Sequence, residues 1–270
     1  MSYFKNKTAI VTGSGMGIGK AIALELCKEG ANVVLNGRNA DRLEKTRHEF
    51  LQKGYRVTSI QGDVTKVSDC DSIVKAALDS FGHIDILITN ASVSMRERFE
   101  NLEPEIFARV IESNINGSAF PVHRALPHIK KTKGSIVFIS SVAGMIGLPT
   151  GSAYSAGKMA LTALAQSLKI ELSSSGIHIG IVHVGFTQND NDKRVLNASG
   201  ELVPVAERPA YLQQTQEQVA KSVLSIIRKR KFKVILSVVG KLNALAMRLF
   251  PGLVIRIVSS SQKRMEKMYK

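Results

Sequence analysis

The sequence is poor in cysteine and has no long apolar run. Only Cys27 and Cys70 occur among its 270 residues, too few to hold a domain of this size together by disulfides. No cluster of metal-binding side chains surrounds either one. No uncharged apolar stretch reaches the roughly 18 residues that a membrane-spanning helix needs, and the run ending at Gly13 is too short for a secretory signal. We therefore predict a reduced, cytoplasmic protein without a metal site.

Acidic residues are scarce at the C-terminal end. Residues 221–270 contain thirteen Lys and Arg residues but one acid, Glu266, and so carry +12 of the net charge of +15. The first 220 residues carry only +3, so the basic character belongs to a segment and does not describe the whole protein. There is no long polar tract, and a hydrophobic content of 44% is ordinary for a globular protein, which argues against wholesale disorder.

Short apolar runs rich in Val and Ile alternate with amphipathic stretches along the chain. The runs predict seven strands, at residues 8–13, 32–38, 56–64, 84–92, 135–141, 177–185 and 233–240. Strands that alternate with helices form βαβ units with right-handed crossovers and a parallel sheet. The pattern therefore predicts an α/β fold: a single Rossmann-type, doubly wound domain over residues 1–240 with a seven-stranded parallel sheet.

A long polar stretch at residues 188–214 interrupts this alternation. It contains Pro204 and Pro209 and follows a strand, which indicates a long loop or lid over a functional site. Thr215 and Gln218 then have the spacing of a capping box, so a helix is expected to begin there.

A glycine-rich turn, TGSGMGIGK, follows the first strand and opens the first helix. Gly13, Gly17 and Gly19 permit a tight turn and a close approach of backbone to ligand, and the helix N-terminus offers unpaired N–H groups to a pyrophosphate. A strand before the turn and a helix after it are the context of a dinucleotide-binding site.

The end of the second strand favours NADP(H) as the dinucleotide. An NAD site usually has an acid here for the ribose hydroxyl, but this sequence has Asn36, Gly37 and Arg38. Arg38 can pair with a 2′-phosphate, although it can also be a solvated surface arginine. Asp63 ends the third strand, where it can accept a hydrogen bond from the adenine amino group or simply form a turn.

Candidate chemical residues follow further along the chain. Tyr154 and Lys158 lie four residues apart and share one helix face, where an ammonium favours the phenolate and so makes the tyrosine a better general acid. Ser141 ends the fifth strand at the ligand-binding edge of the sheet, and Ser140 is expected to point the other way. Asn114 is a polar residue inside an amphipathic helix, which often marks a kink or a water site.

Together these motifs resemble the short-chain dehydrogenase/reductase family. The matching segments are TGSGMGIG, NAS at residues 90–92, Asn114, SSVAG with Ser141, and YSAGK, and the likeness extends from Thr8 to Gly185. The resemblance implies a nicotinamide cofactor, a homodimer or homotetramer, and a catalytic tetrad of Asn114, Ser141, Tyr154 and Lys158. Tyr154 would be the acid–base, Ser141 would polarise the carbonyl, Lys158 would bind the nicotinamide ribose, and Asn114 would hold a water. The implied cofactor-binding residues are Gly13, Ser14, Gly17, Ile18, Gly19, Arg38, Asp63, Val64, Asn90, Ala91, Tyr154, Lys158, Gly185 and Thr187.

Three positions depart from the family pattern. Ser92 replaces the glycine of NAG, and Met16 replaces the usual Arg or Ser before Gly17, which leaves Arg38 as the main candidate for the 2′-phosphate. Val184 replaces the proline of the PG that follows the sixth strand. In the family, that loop normally contacts the carboxamide of the nicotinamide, and Thr187 is expected to make this contact here.

The C-terminal extension at residues 241–270 is basic and amphipathic. Its apolar stripe consists of Leu242, Leu245, Leu249, Leu253 and Ile257, and Pro251-Gly252 is expected to break the helix. Arg248, Arg256, Lys263 and Arg264 surround the stripe. Three interpretations stay open: a helix that covers the substrate pocket or a subunit interface, an element lying on an anionic membrane, and nucleic-acid binding. The last is disfavoured, because there is no reading motif or aromatic platform.

The sequence thus predicts an NADPH-dependent reductase that interconverts a ketone and a secondary alcohol. The extension and the apolar loop at residues 142–149 favour a lipophilic substrate, such as a long-chain 3-oxo lipid or a sterol-like ketone, reached at a membrane surface. One alternative is a 3-oxoacyl thioester reductase that serves an acyl carrier. A non-catalytic NADP(H)-sensing protein is the alternative of another class, and the complete tetrad argues against it.

Overall fold

The computed structural model describes residues 2–205 and 213–260 of the chain, and a seven-stranded parallel sheet forms its centre. The strands are β1 (Thr8–Val11), β2 (Asn32–Gly37), β3 (Val57–Gln61), β4 (Ile86–Thr89), β5 (Ser135–Ser141), β6 (His178–Val184) and β9 (Lys233–Ile235), in the spatial order β3-β2-β1-β4-β5-β6-β9. The predicted α/β fold is confirmed. The order reverses between β1 and β4, so the crevice at their carboxyl ends is where a ligand is expected.

Eight helices accompany the strands in the described part of the chain. They are α1 (Gly17–Lys28), α2 (Ala40–Gln52), α3 (Val67–Phe81), α4 (Pro104–Thr132), α5 (Ser152–Glu171), α6 (Gln216–Arg228), α7 (Val238–Leu249) and α8 (Pro251–Ser260). Helix α6 begins with the predicted capping box: the Thr215 hydroxyl accepts from the Gln218 N–H at 3.1 Å, and the Thr215 N–H donates to Gln218 Oε1 at 2.9 Å.

Each face of the sheet is covered by its own apolar cluster. Ile22 and Leu26 of α1 and Val223 and Ile227 of α6 pack on one face. The other face is covered from α3, α4 and α5, with Phe138 of β5 buried among their side chains. Because β1, β4, β5 and β6 are buried on both faces, they are continuous apolar runs, as expected for a parallel sheet.

The stretch at residues 188–214 is more ordered than the predicted loop. An antiparallel hairpin of β7 (Arg194–Leu196) and β8 (Leu202–Pro204) lies within it, and Met95 pairs with Leu196. Buried Val195 and Leu196 supply the apolar contacts that a purely polar lid would lack. Residues 206–212, including Pro209, lie outside the described residues.

The seventh strand is shorter than predicted and the extension begins earlier. The strand ends at Ile235, because the Ser237 side chain accepts from the Gly240 N–H at 2.9 Å and starts α7 at Val238. The predicted break at Pro251 is confirmed, since α7 ends at Leu249 and α8 starts at Pro251. Residues 261–270, with Lys263 and Arg264, lie outside the described part.

None of the helices in residues 2–205 and 213–260 combines the length and the hydropathy of a membrane-spanning segment.

Candidate active site

The glycine-rich turn between β1 and α1 has no room for a side chain at Gly13 or Gly19. Gly13 has a φ of +63°, and a Cβ there would lie 2.9 Å from the Ala91 Cα. A Cβ on Gly19 would lie 2.2 Å from the carbonyl oxygen of Gly13. The backbone therefore bends tightly enough to leave the first N–H groups of α1 facing the crevice.

Asn90 and Thr12 hold this turn from the side of β4. The Asn90 side chain donates to the carbonyl oxygens of Thr12 at 3.0 Å and of Gly13 at 3.1 Å. The Thr12 hydroxyl accepts from the N–H groups of Asn90 and Ala91, each at 3.0 Å. Asn90 was predicted as a cofactor contact, and its side chain also supports the turn. Thr12 was missed, because a buried threonine next to a glycine has no distinctive sequence signal.

Ser14 was predicted among the cofactor-binding residues, but it is buried behind the turn. Its hydroxyl accepts from the Asn36 N–H at 2.9 Å, and its own N–H donates to the Asn36 carbonyl at 2.9 Å. Ser14 therefore fastens the turn to β2 and is not among the residues that line the crevice. Its hydrogen bonds are thus taken up by β2, and its predicted part in cofactor binding stays a prediction.

The end of the crevice beside β2 and β3 is bordered by a guanidinium and a carboxylate. Arg38 is mostly exposed, and its Nη1 lies 3.8 Å from Asp63 Oδ2. Burial opposes ionisation of Asp63, but hydrogen bonds from Thr65 and the charges of Arg38 and Lys66 outweigh it and lower the pKa of this carboxyl. Asp63 Oδ1 accepts from the Thr65 N–H and hydroxyl, so Asp63 also forms the turn that the sequence left as an alternative.

Tyr154 and Lys158 lie on the first turns of α5 and face the same crevice. The Lys158 ammonium is buried, donates to the Ile139 carbonyl at 3.0 Å and lies 5.7 Å from the centre of the Tyr154 ring. Burial, together with the charge of Lys193, lowers the pKa of Lys158 to about 7. Lysine and tyrosine are thus neighbours, as the four-residue spacing predicted.

Ser141 lies at the carboxyl end of β5 and lines the same cavity as the glycine-rich turn. Its hydroxyl accepts from the Ala143 N–H at 3.2 Å, and its carbonyl is 3.1 Å from His183 Nδ1. Burial lowers the pKa of His183 to about 4, so this ring is neutral and its role is to support the strand end. The Ser140 hydroxyl instead donates to the Lys158 carbonyl at 3.2 Å, which fits the predicted opposite direction of the two serines.

Asn114 lies in the middle of α4, and the helix continues through it without a break. Its amide group donates to the carbonyls of Val93 at 2.8 Å and Val110 at 2.9 Å. Its side-chain oxygen is buried and has no partner in the described residues. A buried acceptor of this kind is normally satisfied by an ordered water, which agrees with the predicted water site. Gly157 of α5 allows the close packing, since a Cβ there would lie 2.8 Å from the Asn114 Cβ.

One cavity of about 640 Å³ joins these groups. All the predicted site residues line it except Ser14 and Asn114, which lie behind its wall. Gly185 and Thr187 line it after β6, where the Thr187 hydroxyl donates to the Gly185 carbonyl at 3.3 Å. This cavity therefore joins the glycine-rich turn, the candidate tetrad and the loop after β6 in a single site. Its volume suits a small-molecule ligand.

The loop after β6 brings charged residues into the cavity that the sequence reasoning missed. Asp190 Oδ2 accepts from the Gly17 N–H at 2.8 Å, and its Oδ1 accepts from Gln216 Nε2 at 2.8 Å. Asp192 forms an ion pair with Arg42, a second guanidinium in the cavity wall. A polar loop was predicted, but nothing in its local pattern indicates that it folds back onto the first helix.

Comparisons with known proteins agree with this geometry. The family model described as short chain dehydrogenase matches residues 7–199. Dehydrogenase/reductase SDR family member 7B of Bos taurus is 29% identical, over 98% of this chain and 84% of its own. An uncharacterized oxidoreductase of Staphylococcus epidermidis is 37% identical, over 68% of this chain and 80% of its own. A solved alcohol dehydrogenase from the archaeon Thermococcus sibiricus, complexed with 5-hydroxy-NADP, superposes with a TM-score of 0.74 at 26% identity, over 85% of this chain and 95% of that one.

The family model covers well over half of the chain, and the sheet order, the glycine turn and the tyrosine–lysine pair agree with it. Members of this family are oxidoreductases that use NAD(H) or NADP(H) and act on small molecules. The chain belongs to the short-chain dehydrogenase family.

Proposed function

We propose that this protein is an NADP(H)-dependent reductase that interconverts a lipophilic ketone and its secondary alcohol. The observation that supports this most directly is the placement of Tyr154, Lys158 and Ser141 in the same cavity as the glycine-rich turn. When bound, the nicotinamide supplies or accepts the hydride. The chain's own residues then have to bind the substrate oxygen and move one proton.

The chain's fit to a dinucleotide rests on the turn at the start of α1. The turn closes tightly because a Cβ on Gly13 or Gly19 would clash with the Ala91 backbone or with the Gly13 carbonyl oxygen. The Gly17 N–H already donates a hydrogen bond to an anionic oxygen, that of the Asp190 carboxylate. A phosphate oxygen is an acceptor of the same kind, so it suits this N–H group.

NADP(H) rather than NAD(H) is favoured by the residues that follow β2. Neither Asn36 nor Gly37 carries a charge that would repel a 2′-phosphate, and Arg38 lies mostly exposed at the cavity wall. Arg42 lies in the same wall. The solved relative bound to 5-hydroxy-NADP supports the same preference by analogy. A pair of guanidinium groups binds a phosphate through charge-assisted hydrogen bonds.

In the reduction, Tyr154 gives its phenolic proton to the ketone oxygen, and in the reverse direction it takes the proton back. Ser141 donates a hydrogen bond to the same oxygen and stabilises the charge that develops there. The ammonium of Lys158 favours the phenolate of Tyr154 and would hydrogen-bond the ribose of a bound nicotinamide nucleotide. Asn114, with its unpartnered oxygen, holds the water through which Lys158 exchanges protons with solvent.

A lipophilic substrate is supported by the cavity wall and by the extension. Val142, Leu148, Val195 and Leu202 line the cavity near the candidate tetrad. Helices α7 and α8 contribute no residue to the cavity wall among the described residues, so the interpretation in which the extension covers the pocket loses support. Their apolar stripe instead faces outward, with each of its five side chains 55–63% exposed.

An anionic lipid surface is the partner that suits this stripe. No acidic residue occurs between Glu217 and Glu266, whereas Lys241, Arg248 and Arg256 lie on the two helices. A second copy of the same face would carry the same positive charge and be repelled, but acidic headgroups would be attracted. We therefore propose peripheral membrane contact through the extension, residues 241–270 in the sequence, as the route to a lipid substrate.

The proposed reaction is tested by following NADPH oxidation with a long-chain 3-oxo lipid in mild detergent and with a short 3-oxo ester. We expect a much higher kcat/KM for the lipid, and Tyr154→Phe to lower kcat at least about 100-fold while NADPH still binds. Tyr55→Phe, which changes a tyrosine outside the cavity, is the matched control. Reduction of the ester alone would contradict the lipophilic substrate, and full activity of Tyr154→Phe would contradict the mechanism.

The cofactor preference is tested in the same assay with Arg38→Ala. This change should raise the KM for NADPH about 10-fold or more and leave the KM for NADH nearly unchanged. Arg47→Ala, which removes a guanidinium paired with Glu44 on the outer side of α2, should change neither value.

A further inference from the structure

His183 is a fully buried histidine of β6 that the proposed mechanism does not use. Its ring nitrogen Nδ1 lies 3.1 Å from the Ser141 carbonyl oxygen. The other ring nitrogen, Nε2, is buried and has no hydrogen-bond partner among the described residues. The ring is not part of the cavity wall that those residues form. Burying a polar ring is costly, so its one contact, to a residue of the candidate tetrad, indicates what the ring does.

This contact decides which ring nitrogen carries the proton. A carbonyl oxygen accepts hydrogen bonds and cannot donate them, so Nδ1 has to be the donor. Burial lowers the pKa of His183 to about 4, so the ring is neutral near neutral pH and carries a single proton. That proton is therefore on Nδ1, and Nε2 is a bare acceptor. The imidazole is thus a neutral donor that faces the last carbonyl of β5.

Ser141 is held at its carbonyl and at its hydroxyl. It is the last residue of β5, and the chain turns there into a short 3₁₀ helix, Val142–Gly144. The hydroxyl accepts from the Ala143 N–H at 3.2 Å, and it donates to no group among the described residues. Its own proton is therefore available to a ligand in the cavity. The direction of that proton depends on the main chain of Ser141, whose carbonyl His183 holds from the side of β6.

The two residues before Ser141 are held by a different side. The Ile139 carbonyl accepts from the Lys158 ammonium at 3.0 Å, and the Ser140 hydroxyl donates to the Lys158 carbonyl at 3.2 Å. Helix α5 therefore holds residues 139 and 140, and the side-chain contact to the carbonyl of residue 141 comes from His183 on β6. Loss of the imidazole would free this carbonyl directly beside the Ser141 hydroxyl.

We propose that His183 is a positioning residue for Ser141: its Nδ1–H holds the Ser141 carbonyl so that the hydroxyl of the same residue points at the ketone oxygen. This inference rests on the proposed reductase function and adds a residue to it. In this role His183 touches neither substrate nor cofactor and moves no proton. A displaced hydrogen-bond donor stabilises the developing charge less well, so the effect falls on kcat and not on cofactor binding.

The first test compares side chains with and without a donor at the Nδ1 position. His183→Leu should lower kcat for the long-chain 3-oxo lipid about 10- to 30-fold and leave the KM for NADPH within about 2-fold. His183→Asn, whose amide nitrogen takes the place of Nδ1, should stay within about 3-fold of the wild type. His178→Leu is the matched control and should keep the wild-type kcat. His178 is buried at the other end of β6, and its Nε2 lies 2.9 Å from the Lys231 carbonyl oxygen.

A double-variant cycle separates the positioning of Ser141 from a general loss of packing. Ser141→Ala removes the group that is positioned, so adding His183→Leu should lower kcat by no more than about 2-fold further. Full additivity of the two losses would assign His183 to packing alone and overturn the proposal. An unchanged kcat in His183→Leu, or an equal loss in His183→Asn, would also overturn it in variants that are folded by their melting curves.

The tautomer of His183 separates this inference from the reductase function, because its measurement needs no substrate. In a long-range ¹H–¹⁵N spectrum of the wild type, we expect the Nδ1–H tautomer for the ring whose signals are lost in His183→Asn. The Nε2–H tautomer would exclude the hydrogen bond to Ser141 and overturn the proposal, whatever the protein reduces. The Nδ1–H tautomer supports the contact even if neither ketone is turned over, and then only the reductase function fails.

Discussion

Lys158 is a buried ammonium whose charge state depends on its surroundings. Burial and the charge of Lys193 bring its pKa to about 7, well below the ordinary value of 10.5. In the unfolded chain the same lysine stays protonated up to about pH 10. Between these two pKa values the unfolded state binds more protons than the folded state, so folding stability rises with pH over this range.

This residue gives a prediction for Lys158→Met, which removes the titrating group. The wild type should gain stability relative to the variant as the pH rises from 7 to 9, by about 3 kcal/mol at most, since one pKa unit corresponds to ~1.4 kcal/mol. Below pH 7 the difference should be constant. Urea unfolding at several pH values measures it, with Lys75→Met on the protein surface as the control. A flat difference from pH 7 to 9 would show that Lys158 keeps an ordinary pKa.

At the scale of elements, the loop that follows β6 connects three helices, α1, α2 and α6, beside the candidate cofactor site. Asp190 joins the start of α1 to Gln216 at the start of α6, and Asp192 joins the loop to Arg42 of α2. The Asp190 carboxylate holds an N–H group at the point where the fold receives a pyrophosphate. Two anions cannot share this N–H without repulsion, so we expect the loop to compete with the proposed cofactor.

We therefore expect Asp190→Asn to bind NADPH more tightly than the wild type. Removing the negative charge weakens both the contact to Gly17 and the repulsion of the pyrophosphate, and the Kd should fall about 3- to 10-fold. NADPH fluorescence titration measures the Kd. Asp79→Asn, which lies on the outer side of α3, should leave it unchanged. Weaker binding by Asp190→Asn would mean that this carboxylate supports the cofactor site instead of competing for it.

At the scale of the whole molecule, the exposed apolar side chains are concentrated at one end of the chain. Helices α7 and α8 carry eight of them, among them Leu245 and Leu253, and Phe250 between the two helices is a ninth, each at least 55% exposed. Exposed apolar area of this kind marks an interaction surface, and the basic residues around it indicate which charge the partner carries.

The protein is accordingly expected to sediment with phosphatidylglycerol vesicles at low salt and much less with phosphatidylcholine vesicles. The double change Leu245→Asn and Leu253→Asn should weaken this binding about 10-fold, because it removes apolar area that inserts between the lipids. Ile170→Asn replaces an exposed apolar side chain on α5 and is the control. If the double variant sediments as much as the wild type, or if the wild type does not sediment at all, the membrane proposal fails. The surface would then serve subunit association.

Several features of the protein followed from the sequence by itself. The seven apolar runs predicted the strands, because side-chain periodicity is a local property of the chain. The glycine turn, Tyr154 and Lys158 were assigned to one site through the resemblance to the short-chain dehydrogenase/reductase family. The capping box before α6 and the break at Pro251 are local for the same reason.

Other features were decided only by the tertiary structure. Asp190 reaches Gly17 across 173 positions of sequence, and the burial that sets the pKa of Lys158 comes from strands and helices distant in the chain. The outward direction of the α7–α8 stripe likewise depends on where other elements end. Long-range contacts and the desolvation of buried groups arise from the packing of the whole chain. A local sequence pattern therefore cannot predict them.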